Sequence, residues 1–356
     1  MLLILIASVV AFFFSYISTP LFIVIAKRLK LIDDPKLRAH PANTHVGIIP
    51  RAGGLPIFIG FLVTVLIFIP LNKIIIGIII ASLLMLILGI LDDRFDLSPY
   101  FRFFANIFVA MLVVLFGLGI PYISNPLGGI IRLDQFIVTI NLLGSHKILV
   151  FADIFAIFWL VAVANFVNWS KGVDGQMPGF VAISSFFLGI LALRFTAHDI
   201  STYSVAMLAF IIGGTFLGFL PYNFYPQRIM PGYSGGVLGG FFLGILSILS
   251  WGKMGTLLLV LSVPIIDAIY VIIRRTINFK SPFRGDAGHF HHRLLSIGWG
   301  KRRIAVFYWL VSFLFGLTAL FLNAEEKFFA LILIFIAVSC FILITSNVKR
   351  IIDKDK

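Results

Sequence analysis

Four short polar clusters in this chain have residue types and spacings that could do chemistry. The first is Asp33-Asp34-Pro35 followed by Arg38, His40 and His45, ending in Pro50-Arg51-Ala52-Gly53-Gly54. The second, Asp92-Asp93-Arg94, closes an apolar run and has Asp96 and Ser98-Pro99 behind it. The third runs from Asn165 through Asn168 and Lys171-Gly172 to Asp174-Gly175, and the fourth is Asp286-Ala287-Gly288-His289-Phe290-His291-His292-Arg293. Adjacent aspartates at a helix end can simply be solvated, so the second cluster has a bland reading as well as a chemical one. The His-x-His-His run resembles a zinc site at first sight, but adjacent side chains on a helix do not share a face and no Cys is near. A cradle for an anion suits it better, because imidazole and guanidinium both donate to phosphate oxygens. Asn165 and Asn168, three apart, would share a helix face. The Lys-Gly and Asp-Gly pairs that follow read as a helix breaking into a binding loop, where glycine lets the backbone approach a ligand.

Carboxylates and Asn at oxygen-ligand positions, facing Arg, His and Lys, suit a divalent cation with a diphosphate. Magnesium takes oxygen ligands beside substrate phosphates, and phosphoryl transfer needs mainly positioning and charge neutralisation. From the residues alone, the chain reads as a polytopic enzyme with a cytoplasmic site for a phosphorylated substrate.

The elements that must hold these clusters are membrane-spanning helices. Of 356 residues, 60% are hydrophobic and only 12% charged, with a mean hydropathy of +1.08. Soluble domains carry about 25% charged residues, so a soluble enzyme and a disordered chain are both excluded. Apolar runs close to the roughly 20 residues that cross a bilayer are expected at 2–26, 55–71, 74–91, 103–120, 148–167, 180–195, 203–221, 235–251, 255–273, 304–322 and 328–346. The hydrophobicity is continuous, not alternating, which selects helices over a barrel. The expected fold is thus an all-α integral membrane protein of about eleven helices, with 1–346 as one domain and 347–356 as a short basic cytoplasmic tail. Between the fourth and fifth spans, Gly128-Gly129 and the alternating run Ile130–Ile140 suggest a short β-hairpin on the periplasmic face. Gly235-Gly236, Gly239-Gly240 and Gly244 recur every four residues within a span and point to close helix packing. Cys340 stands alone in an apolar run, so no disulfide or Cys-based metal site is expected.

The formal net charge is +13, from 28 Lys and Arg against 15 Asp and Glu. Most of the basic residues, with all four clusters, fall in loops on one side. Lys73, Arg132, Lys147, Arg194, Lys253 and Lys327 are left for the other. By the positive-inside rule the N-terminus lies outside and the C-terminus in the cytoplasm. The excess charge therefore reflects orientation and anionic substrates, and no nucleic-acid partner is expected.

In their order and on one membrane face, these motifs resemble the polyprenyl-phosphate N-acetylhexosamine-1-phosphate transferases (glycosyltransferase family 4). The matches are Asp34-Pro35 with His40, Gly53-Gly54, Leu91-Asp92-Asp93, Asn165-Phe-Val-Asn168 with Gly-Val-Asp174-Gly175, Pro264-Ile-Ile-Asp267, and Asp286 with His289-Phe-His291-His292-Arg293. The His-x-His-His-Arg run is similar to the undecaprenyl-phosphate GlcNAc-1-phosphate transferase branch, which initiates O-antigen, common-antigen or teichoic-acid chains. The resemblance implies a bacterial inner-membrane enzyme that transfers N-acetylhexosamine-1-phosphate from a UDP-sugar to undecaprenyl phosphate and releases UMP. It implies Asp92 and Asp93 as the catalytic pair and Asn168, with Asp92, as ligands of Mg2+ or Mn2+. Arg51, Asn165, Lys171, Asp174, Gly175, Asp286, His289, His291, His292 and Arg293 would bind substrate, and the resemblance also allows a homodimer. Two positions depart from the family pattern. Lys171 replaces the first acid of Asp-Gly-x-Asp-Gly, and Gly232-Tyr233-Ser234-Gly235 stands where Gly-Asp-x-Gly is usual. Both changes remove an acid and the first adds a base, which points to Lys171 supplying part of the positive charge that metal usually provides. The rival readings are a catalytically silent prenyl-phosphate-binding scaffold and a lipid-linked sugar transporter.

Overall fold

The computed structural model describes residues 1–36, 45, 47–125, 128–141, 145–196, 201–250, 253–281 and 288–354. Arg38, His40 and Asp286 lie outside this set. The chain opens with α1 (Leu2–Arg28), then β1 (Ile32–Asp33) and β2 (Ile49–Pro50) pair antiparallel. Next come α2 (Gly54–Phe68), α3 (Lys73–Phe95) and α4 (Pro99–Leu115), followed by β3 (Tyr122–Ser124), β4 (Ile130–Arg132), β5 (Ile137–Asn141) and β6 (Ser145–Leu149). The remainder is helical: α5 (Val150–Trp169), α6 (Gln176–Leu193), α7 (Ser201–Asn223), α8 (Gly232–Leu249), α9 (Met254–Val260), α10 (Ser262–Ile277), α11 (Phe290–Ser296), α12 (Lys301–Ala319) and α13 (Ala324–Lys354).

Each apolar run expected to span falls mainly on helix, the one at 255–273 on two helices. Among the described residues, seven helices are long and apolar enough to cross a membrane: α1, α3, α5, α6, α7, α8 and α12. The pair α9–α10 makes an eighth if it is one broken span, while α2 and α4 are shorter apolar helices. The protein is mostly helical, with three two-stranded sheets among the described residues. The run Ile130–Ile140 does not form one hairpin. It is shared between two, β3–β4 and β5–β6, with an Arg132–Asp134 ion pair of 2.9 Å at the corner between them.

Small residues set the helix packing. On α1, Ala7, Ala11, Ser15 and Thr19 form a buried stripe, while Val9, Phe13, Ile17 and Leu21 are exposed on the apolar outer side. Gly60 of α2 packs against Ala11 and Ser15 of that stripe, and on the neighbouring side of α1 Gly214 and Gly218 of α7 lie against the Ser8 and Phe12 carbonyls. The glycine ladder of α8 behaves likewise: Gly236, Gly240 and Gly244 face Asn168, Ala164 and Leu160 of α5 in antiparallel order. Without a hydrophobic force between helices in lipid, such close backbone approach is a main source of association. α8 is consequently the buried central helix, and its N-terminus meets the C-terminal ends of α3 and α5.

The run expected at 255–273 is broken at Leu261 by an 82° bend between α9 and α10. Pro264 has no N–H to donate to the Val260 carbonyl four residues earlier, which is what interrupts the ladder. The Ser312 hydroxyl of α12 donates to Val260 O instead, at 3.0 Å. This bend carries α10 and Asp267 toward the polar end of the bundle.

Candidate active site

Asp92 and Asp93 end the polar turn of α3 and are both buried. Asp93 acts as an external cap for α8. Its Oδ1 accepts from Tyr233 N at 2.7 Å, and its Oδ2 accepts from the Ser234 hydroxyl at 2.8 Å and Ser234 N at 3.3 Å. The first N–H groups of a helix have no partner within it, and the positive end of the helix dipole favours a carboxylate there. The positive φ of Gly232 (+69°) allows the chain to enter α8 directly over Asp93. Arg51 Nε lies 3.4 Å from Asp93 Oδ1, and its Nη1 reaches Asp33 at 3.8 Å. Burial works against the Arg51 charge, but Asp93 and Asp33 outweigh it and hold the guanidinium pKa above its usual value. The backbone fixes Arg51 as well: its N–H donates to Leu31 O, and Met230 N donates to Pro50 O.

Asp92 takes Arg102 Nη1 on both oxygens, each at 3.1 Å. Arg102 also stands 5.0 Å over the Tyr233 ring, and the Tyr233 hydroxyl accepts from Asn106 Nδ2 at 2.9 Å. Arg102 and Asn106 are absent from the sequence-derived site. The signal was present: they lie four apart, hence on one face, and are the only charged or amide residues of α4.

Lys171 completes this cluster. Its ammonium donates to Asn168 Oδ1 at 2.7 Å and to the Gly232 carbonyl at 2.6 Å, and sits 5.7 Å from the centre of the Tyr233 ring. Burial lowers the ammonium pKa to about 7, against the opposing pull of the Asp93 charge. Asn165 takes no part here; its amide donates to Val161 O of its own helix at 2.8 Å.

The donor set does not fit a divalent cation at the expected position. Magnesium demands close to six oxygen ligands at about 2.0–2.1 Å. Here Asn168 Oδ1 is held by Lys171, Asp92 by Arg102, and Asp93 by a helix start and Arg51. No group of three His, Cys, Asp or Glu residues among the described residues could hold a metal.

The histidine loop closes against the same end. His291 is buried with its ring packed on the Gly172 backbone, so a Cβ added at Gly172 would run into the imidazole. Burial, with His292 and His289 beside it, holds the His291 pKa well below the usual imidazole range. His289 stacks on His291 with ring centres 5.7 Å apart, and His291 lies 4.3 Å from His292. His289 Nδ1 is 2.9 Å from Asp267 Oδ2, while Asp267 Oδ1 accepts from Phe290 N at 2.7 Å. Asp267 thus starts α11 and orients His289, a role its motif did not disclose. Arg293 donates to Gly288 O at 3.1 Å and stands 4.7 Å over the Tyr270 ring.

Asp174 and Gly175 lie farther along the same loop. Asp174 accepts from Lys301 Nζ at 3.0 Å and from Gln227 N at 3.2 Å. Gly175, at φ +79°, donates to Asn223 Oδ1 at 3.0 Å, and its carbonyl accepts from the Trp309 indole at 3.1 Å. Loop 170–175, the start of α8, the end of α3 and the histidine loop therefore form one polar surface. Arg51, Arg102 and Lys171 are its positive groups beside Asp92 and Asp93, with Arg293 and Lys301 farther along.

The glycosyl transferase family 4 model matches residues 75–251. The chain is 30% identical to a probable undecaprenyl-phosphate N-acetylglucosaminyl 1-phosphate transferase of Bacillus subtilis (strain 168), over 99% of this chain and 94% of the relative. It is 30% identical to a decaprenyl-phosphate N-acetylglucosaminephosphotransferase of Mycobacterium leprae, over 85% of this chain and 80% of the relative. It is 26% identical to an undecaprenyl-phosphate alpha-N-acetylglucosaminyl 1-phosphate transferase of Thermotoga maritima, over 93% of this chain and 94% of the relative. With the bacillary relative matched over 94% of its length and Asp92, Asp93 and Asn168 inside the matched family segment, the chain belongs to glycosyl transferase family 4.

Proposed function

We propose that the chain transfers N-acetylglucosamine-1-phosphate from UDP-N-acetylglucosamine to undecaprenyl phosphate, releasing UMP. The observation that carries this reading is the meeting of the Lys171–Gly172 loop with the histidine loop, beside Arg51 and Arg102. It makes a cationic surface at one end of a helical bundle, where a nucleotide diphosphate and a lipid phosphate can approach each other.

In the reaction, an oxygen of the lipid phosphate forms a bond to the sugar-linked phosphorus as the bond to the bridging oxygen of UMP breaks. A phosphate monoester has its second pKa near about 6, so the lipid nucleophile is already largely a dianion and UMP leaves as one. No proton must move. Asp92 and Asp93 therefore act by holding Arg102, Arg51 and the start of α8 where charge is neutralised, and a strong base is dispensable. Asp174, Gly175 and Trp309 flank the nucleoside end, and His289, His291, His292 and Arg293 reach the sugar and diphosphate. The magnesium or manganese implied by family resemblance is assigned no step; Lys171 supplies positive charge at the diphosphate.

The same reading has eleven spans, the N-terminus outside, the polar surface and basic tail in the cytoplasm, and both hairpins on the periplasmic face of a bacterial inner membrane. The scaffold alternative draws on one specific observation: the oxygens of Asp92 and Asp93 are all engaged by protein groups. Purified protein with undecaprenyl phosphate and a panel of UDP-sugars separates the two. UMP release with UDP-N-acetylglucosamine, coupled to a lipid diphosphate sugar, supports transfer. Absence of UMP with every donor leaves the scaffold.

A further inference from the structure

We propose that Lys171 is the resident cation of this site, so that the diphosphate is held without a divalent metal ion. The inference deepens the transfer reading and rests on it for the identity of the ligand. The Lys171 ammonium spans Asn168 Oδ1 and Gly232 O at 2.7 and 2.6 Å, which is where two oxygen ligands of a cation would be. An ammonium carries three donors; two are placed by these oxygens, and the third serves a phosphate oxygen.

The surroundings agree with a built-in monovalent charge. Tyr233 offers its ring face to both Lys171 and Arg102, and an aromatic face stabilises a cation without competing for metal. Asn106 fixes the Tyr233 hydroxyl on the far side at 2.9 Å. Arg51, Arg102 and Lys171 share one electrostatic neighbourhood with Asp92 and Asp93. A divalent ion added there would have Arg51, Arg102 and Lys171 as neighbours, while the two carboxylates that could attract it already have their oxygens engaged. A diphosphate, as an opposite charge, fits the same field.

The test uses the full chain in nanodiscs and three measurements. Mn2+ titrated onto wild-type protein and followed by electron paramagnetic resonance should leave the free-ion signal unchanged by protein. UDP-N-acetylglucosamine binding by calorimetry, and UMP release with undecaprenyl phosphate, should be equal in excess EDTA and in magnesium. K171M should lose roughly 10²–10³-fold in kcat, as removal of one preorganised donor at a developing charge does, and should weaken nucleotide-sugar binding; K171R should recover part of both. Thermal unfolding of each variant confirms that it is folded. One Mn2+ bound per chain, with binding and turnover lost in EDTA and restored by magnesium, overturns the inference. If no UMP appears under any condition, the transfer reading fails on its own. The manganese signal and the EDTA-insensitivity of nucleotide-sugar binding still decide the role of Lys171.

Discussion

Asp267 gives the sharpest test of how the histidine loop is held. The carboxylate is buried and uses both oxygens, one on His289 Nδ1 at 2.9 Å and one on Phe290 N at 2.7 Å. In D267N the amide oxygen can still accept from Phe290 N, but the amide nitrogen now faces His289 Nδ1. Two donors cannot meet, so the imidazole must move its proton to Nε2 or turn away. Hydrogen bonds to charged groups contribute about 1.5–3 kcal/mol, so losing one should lower stability by that amount. If the same energy is lost from nucleotide-sugar recognition, kcat/KM falls about 10- to 100-fold, at 1.36 kcal/mol per tenfold. The assay is a double-mutant cycle of D267N and H289A, read by unfolding in nanodiscs and by UMP release. Because both variants break one shared bond, the cycle should show a coupling of about 1.5 kcal/mol or more. Effects that add to within about 0.5 kcal/mol would refute the claim that Asp267 acts through His289.

The remaining predictions concern contacts that tie the site together. G172V forces a side chain into the His291 ring, so UMP release should collapse while the total helix content by circular dichroism is unchanged; activity equal to wild type would show that the two loops need not touch. Y233F leaves the buried Asn106 amide without its acceptor and should cost about 1–3 kcal/mol in unfolding free energy, part of it recovered in the double variant N106L/Y233F. S312A removes the donor to Val260 O at the α9–α10 break and should cost about 1–3 kcal/mol, with a lowered unfolding temperature and reduced turnover because α10 carries Asp267.

Much of this protein was legible from sequence because the bilayer restricts the options so severely. Continuous apolar runs can only be helices there, and each expected run falls mainly on helix, the one at 255–273 on two. Polar residues kept at the ends of such runs carry a cost, which is why Asp92-Asp93, Asn168, Lys171 and the histidine run stood out before any geometry was known. The four-residue glycine spacing likewise reported the packing of α8 on α5. What the sequence left open were relations between distant segments. That Asp93 would cap α8, that Arg102 would cover Asp92, and that Asp267 would hold His289 all depend on contacts across 10 to 141 residues of chain, which local pattern cannot register. The break at Leu261 hid behind an unbroken hydrophobic run, since a proline marks a lost hydrogen bond but not the angle that follows. Sequence alone determined that Lys171 and Tyr233 change the charge of the site. Only the tertiary structure decided that the Lys171 ammonium lies between Asn168 and Gly232, because the position of a cation is set by the oxygens that folding gathers around it.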